Sequence, residues 1–180
     1  TKTGDAALEI NVSDEFPAPH VGPEYSGIAL GDDGEPVCVD TSMNMSSADV
    51  KKALMELMPL IKERLKYLTE AAEMVHFLFT EPAVPAADQI IPKKLDLAKT
   101  KEVLEASKEF VKALPNLDHE GSEALAREMA EKLGVKLGDF MMPIRMAVTG
   151  SRVSPPLMGS ILILGVERSL ERIERTLQTL

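Results

Sequence analysis

No stretch limits what this chain can fold into more than residues 143–175, PIRMAVTGSRVSPPLMGSILILGVERSLERIER. It holds three apolar-rich helical runs separated by breakers of definite chemistry. Thr149-Gly150 stops the first, because glycine tolerates the left-handed conformation that ends a helix. Ser154-Pro155 restarts the chain. Proline pushes the preceding residue to an extended conformation and is itself pre-set for the first helical position, so Ser154 is expected as the N-cap. Gly165 then divides the second run from an arginine-studded third. N–H groups past a cap lack partners inside the helix, and the helix dipole makes that end mildly positive. With Arg145 before the turn and Arg152 within it, a helix start, a hydroxyl and two guanidinium groups are placed to converge on one polar ligand.

The remaining punctuation predicts an all-α body. Ser46-Ser47-Ala48-Asp49 opens a helix with capping residues. From there Leu54, Met58, Ile61, Leu65, Leu68, Ala72, Val75 and Phe79 recur at spacings of four and three, one apolar stripe. Pro59 is expected to kink that helix or to split it at Met58. Arg64 and His76 lie on the opposite face. Pro82, Pro85 and Pro92 break the pattern around a short piece at residues 86–91. Asp96 then caps a helix whose buried face is Val103, Leu104, Ser107, Phe110, Val111 and Leu114, ended by Pro115. Asp118 caps the next, with Leu125, Met129 and Leu133 on its inner side, His119 at its surface and Gly134 as its stop. Residues 137–148 form a helix bent or tightened at Pro143. In the last helix Glu167 and Glu171 alternate with Arg168, Arg172 and Arg175, a spacing that predicts mainly surface pairs worth a few tenths of a kcal/mol each.

Residues 1–47 differ in kind. Rich in Pro, Gly, Asp and Ser, they lack helical periodicity and read as an acidic irregular leader. Residues 25–30 and 35–39 flank Gly31-Asp32-Asp33-Gly34, a loop suited to closing a β-hairpin in which Pro36 restricts the second run to an edge. A solvated linker explains the same residues equally well. Acidic but for Lys2 and without an apolar face, residues 1–45 are expected to be dispensable for folding. His20 has no metal-spaced partner.

A net charge of −9 argues at first against nucleic acid, since phosphate binding rests on clustered Lys and Arg. Its distribution removes the objection: residues 1–50 hold ten acids against Lys2, and the rest of the chain is balanced. Residues 143–180 carry five arginines against three glutamates and are locally positive. One cysteine, Cys38, excludes an internal disulfide and fits a reducing cytoplasm. Three scattered histidines and one cysteine supply neither a His/Cys metal set nor a Cys-His nucleophile. No phosphate-binding glycine loop or nucleophile elbow occurs, and no apolar run approaches the roughly 20 residues of a membrane span. A start at Thr1 rather than methionine is what a cut or processed chain would show.

The string I-R-M-A-V-T-G-x-x-x-S-P-x-L followed by L-G-x-E-R-S-L-E-R-I closely resembles the C-terminal anticodon-binding region of bacterial-type glutamyl-tRNA synthetases. Arg145, Thr149, Gly150, Ser154, Pro155, Leu157, Leu164, Gly165, Glu167, Arg168 and Ile173 carry the match. A second patch, PLIKERLKYLTEAAEMVHFLFTEP at residues 59–82, resembles the first helical subdomain of the same region. Together they extend the likeness over roughly residues 51–180.

Composition sets off a leader at 1–47 of unknown role, and the resemblance implies helical subdomains at 48–116 and 117–180 and recognition of the tRNA(Glu) anticodon by a monomeric fragment in the cytoplasm. It places Arg145, Ser154, Pro155 and Leu157 on family positions that contact anticodon bases and Thr149 on the supporting turn. Proximity adds Arg152. Gly159 departs from the pattern, because many relatives have an acid there. His76 departs as well. Relatives restricted to glutamate tRNA have an arginine at that position to read the third anticodon base, so tRNA(Gln) becomes a second expected partner, with Arg64 as an alternative contact. The two ATP-handling signatures of class I synthetases are absent. ATP and Mg therefore belong to a catalytic part of the parent ligase, and this stretch carries no catalytic motif, cofactor site or metal site. A second reading, a helical protein-interaction module without an RNA role, would use the acidic leader and surface methionines instead. Salt separates the two, since only RNA binding should weaken steeply as salt rises.

Overall fold

The computed structural model describes residues 27–40, 43–62, 64–65 and 68–180. His20 and the leader before Gly27 lie outside them. Among the described residues a two-stranded antiparallel hairpin, β1 (Ile28–Leu30) and β2 (Pro36–Cys38), precedes eight α-helices: α1 (Ser47–Ile61), α2 (Leu68–Phe79), α3 (Ala87–Ile90), α4 (Leu97–Ala113), α5 (His119–Lys132), α6 (Leu137–Thr149), α7 (Leu157–Leu164) and α8 (Val166–Thr179). The fold is all-α, as the punctuation predicts.

The helix ends follow the sequence closely. Ser46 and Asp49 form a reciprocal capping box on α1. The Asp96 carboxylate accepts from the Lys99 N–H at 2.7 Å and Asp118 from Gly121 at 2.7 Å. Gly134 and Gly150 take φ of 67° and 69°, and Gly165 divides α7 from α8.

Two stripes differ from expectation. The inward face of α1 is Val50, Ala53, Leu57 and Ile61, and Met58 is 41 % exposed. Pro59 stays inside α1 without splitting it. The carbonyl it cannot serve is that of exposed Met55, which water can reach. In α5 the buried positions are Ser122, Ala126 and Ala130, one residue round from Leu125, Met129 and Leu133, which sit partly covered at the edge. Small residues let α5 approach α4 and α6 closely, so the larger apolar groups flank the contact.

The apolar interior has two centres. One joins Val50, Leu57, Ile61, Val75, Phe77 and Phe79 of α1 and α2. The other joins α3 to α8, with Phe110 of α4 edge-on to Phe140 of α6 at 5.9 Å between ring centroids. The face predicted for α4 is buried as read, and it packs with the second centre. The hairpin rests on the first: Ile28 and Cys38 pack against it, and the Cys38 thiol donates to the Phe79 carbonyl at 3.1 Å. Met43, 2 % exposed, follows it inward. Residues 27–40 of the leader, with Met43, thus belong to the packed body.

Candidate nucleic-acid interface

Arg145 projects from α6 toward the turn that follows it. One of its Nη atoms donates to Ser154 Oγ, to the Ser154 carbonyl at 3.4 Å and to the Pro155 carbonyl at 3.1 Å. Thr149 holds the near end of the turn. Its hydroxyl donates to the Arg145 carbonyl at 2.9 Å and lies 3.1 Å from the Ser151 carbonyl, and it accepts from the Ser151 N–H at 3.3 Å. Burial, and then the charge of Arg64, pull Arg145 below the ordinary arginine value without removing its charge.

Ser154 is not the cap of α7. The N-cap is Pro156, which offers no side-chain bond, and the helix begins at Leu157. The reason is the second proline: Pro156 disfavours helical geometry at Pro155, so the start moves two residues along. Ser154 is released to bind Arg145 and is itself buried. Pro155 is buried too, and Leu157, 3 % exposed, belongs to the core. What the turn shows to solvent is residues 151–153, with Val153 71 % exposed and Arg152 reaching the Gln89 carbonyl at 3.3 Å.

A cleft of about 410 Å³ separates this turn from the start of α2, lined by Arg64, Glu70, Glu73, Met74, Ser151 and Val153. His76 is not among its lining groups. It lies half-buried at the end of α2, where burial pushes its ring below the ordinary histidine value. The Thr80 hydroxyl spends its one proton on the His76 carbonyl at 2.9 Å. Its oxygen must therefore accept from Nδ1–H in the close Thr80–His76 contact. This hydrogen-bond assignment leaves Nε2 of the neutral ring as an acceptor.

The structure brings Arg145, Thr149, Ser154 and Pro155 into one bonded unit and sets Arg64 beside it. Sequence reasoning missed Glu70, Glu73, Met74 and Val153, which enter the cleft only through the folding of α2 against the turn. It also misread α8. Among the described residues no ion pair lies within that helix. Arg168 donates to the Met43 carbonyl at 3.0 Å, and Arg172 and Arg175 pair with Glu81. A signal was present, since Arg172 shares the inward spacing of Ser169, Ile173 and Thr176.

A model of the anticodon binding domain family matches residues 35–177. The chain belongs to that family. It is 56 % identical over 128 residues to a glutamate–tRNA ligase of Treponema denticola, covering 71 % of this chain and 25 % of the relative. Identity is 46 % over 128 residues, 71 % of this chain and 24 % of the relative, for the ligase of Treponema pallidum strain Nichols. It is 42 % over 126 residues, 70 % and 25 %, for that of Roseiflexus sp. strain RS-1. The chain thus spans about a quarter of the length of these relatives. A crystal structure of a glutamate tRNA ligase from Elizabethkingia meningosepticum superposes with a TM-score of 0.49 at 22 % identity, covering 78 % of this chain and 27 % of that one. The matched region of this anticodon-binding domain includes Glu35 to Cys38 and so takes in β2 of the hairpin. Among the described residues no group of His, Cys, Asp or Glu is arranged to hold a metal, and no helix is long and apolar enough to cross a membrane.

Proposed function

We propose that this chain is the anticodon-binding part of a glutamate–tRNA ligase and that bases of the tRNA(Glu) anticodon enter the cleft between α2 and residues 151–153, with the third base outside it at the end of α2 beside His76. The observation that carries this reading is the Arg145–Ser154–Pro155 unit, a fixed guanidinium at a helix junction in a chain of this family. RNA loops are read by splaying bases out, stacking them on flat groups and bonding their edges. Guanidinium planes can serve as stacking surfaces, and Arg64 and Arg152 are exposed beside the turn. Glu70 and Glu73 repel phosphate but accept from amino groups on base edges, so the cleft suits bases better than backbone. Ser154, Pro155 and Leu157 act through buried backbone and packing, and Thr149 through the turn it braces. Catalysis with ATP and Mg belongs to the remaining three quarters of the ligase, which would work in the cytoplasm with this part monomeric.

His76 makes the parent tolerant at the third anticodon position. An arginine offers five fixed donors to that base, whereas neutral His76 offers one acceptor at Nε2. Cytosine N4–H2 and guanine N1–H can both donate to it, so tRNA(Glu) and tRNA(Gln) are both charged with glutamate. Charging assays of the full-length ligase with each tRNA test this. Wild type accepts both, and His76→Arg shifts preference toward tRNA(Glu). Strict rejection of tRNA(Gln) by wild type would contradict the relaxed selectivity.

A further inference from the structure

Arg172 is 1 % exposed, among the largest fully buried side chains among the described residues. A guanidinium there is tolerable only if its donors are matched, since an unpaired buried charge costs several kcal/mol. They are matched by groups from two elements. Nε and one Nη reach the two oxygens of Glu81 at 3.1 Å each, and that Nη also lies 3.4 Å from the Thr80 carbonyl. The other Nη donates to the Val148 carbonyl at 2.7 Å. Thr80 and Glu81 directly follow α2, beyond His76. Val148 lies on α6, one turn beyond Arg145. The contact is reinforced nearby: a Cβ added at Gly150, the stop of α6, would lie 2.8 Å from Cβ of Pro82. The Glu81 N–H is held in turn by the Asp40 carboxylate at 3.1 Å.

We propose that Arg172, paired with Glu81, is a positioning residue for anticodon reading: it fixes α2 relative to α6 and thereby sets Arg145 and the turn against the far wall of the cleft. Arg172 lines no part of that cleft and acts only through the elements it ties. An apolar residue would fill the space but would not fix direction, whereas a planar guanidinium with acceptors on both sides does. This inference rests on the anticodon-binding reading.

Binding of this chain to an RNA stem-loop carrying the glutamate anticodon tests it in a double-mutant cycle with Arg145. Arg172→Lys keeps the charge but loses the bidentate geometry. It is expected to weaken binding roughly tenfold in the wild-type background and less than about twofold in Arg145→Ala, because both changes act on the same contact. A role in stability alone would lower the urea midpoint and leave this coupling absent. Glu81→Gln, which keeps the shape of the joint, is put through the same cycle should Arg172→Lys fail to fold. A folded variant binding as tightly as wild type, or weakened equally in both backgrounds, overturns the proposal. Failure of the wild-type chain to bind overturns the anticodon reading itself, and with it the role given to Arg172.

Discussion

Gly159 of α7 faces Leu60 of α1 so closely that a Cβ added to the glycine would lie 2.7 Å from Leu60 Cδ1. The absence of a side chain there lets α7 settle on α1, joining the first apolar centre to the junction that carries Arg145. Gly159→Asp should therefore cost only about 0.5–1.5 kcal/mol, because the atom it meets is the end of the half-buried Leu60 side chain, which can turn off its rotamer. Leu60→Ala in the same background should restore part of the loss. Urea midpoints of the single and double variants measure both, and additive losses would contradict direct contact.

Arg145→Ala and Ser154→Ala should both weaken tRNA charging by the full-length ligase while leaving this region folded. The expected loss is about 1–3 kcal/mol for Arg145, by comparison with other base contacts. Ser154→Ala should cost less, because Arg145 keeps its bond to the Pro155 carbonyl at 3.1 Å. Kinetics with circular dichroism on the same samples decides the matter. Unchanged kinetics for both folded variants removes them from the site.

Stability should fall on the acid side through Glu81. Burial works to raise its carboxyl, but the hydrogen bonds and charges of Arg172 and Arg175 outweigh burial and hold it below the ordinary carboxylate value. A group depressed in the folded state stabilises fully above its unfolded value, about 4.3 for glutamate, and the contribution fades as pH falls through the folded value. Glu81→Gln should be less stable than wild type at neutral pH and should lose less on acidification. Midpoints measured from pH 7 downward show whether the curves converge.

The end of the leader should prove necessary for folding. Met43 is 2 % exposed, and its backbone carbonyl accepts from Arg168. Met43→Ala should cost about 2–5 kcal/mol, and removal of residues 1–45 at least as much. A truncated chain melting with the intact one would show the hairpin contacts to be energetically idle.

Much of this fold is legible because its signals are local. Asp96, Asp118, Gly134 and Gly150 each end a helix by chemistry contained within a few residues, and all four are found in that role. The face of α4 is legible because every apolar group on it is also buried. The faces of α1 and α5 are less so, since size misleads. Ala126 and Ala130 are buried because they are small enough for close helix contact, while Met129 remains at the edge. Arg172 is illegible as a charge and visible only as a position in a periodic stripe, because its partner Glu81 lies far away in sequence. The site shows the same division. Arg145 and Ser154 are near neighbours with a clear motif, yet their direct bond follows from Pro156 displacing the helix start. Arg64 joins them only through tertiary packing.

The most direct test of the anticodon reading is a fluorescence titration of this chain with two RNA stem-loops of equal base composition, one carrying the glutamate anticodon and the other the same loop bases in scrambled order. The reading predicts tighter binding of the anticodon loop, weakening as salt rises because phosphates are also contacted. Equal affinity for both loops, or no binding to either at low salt, would contradict it.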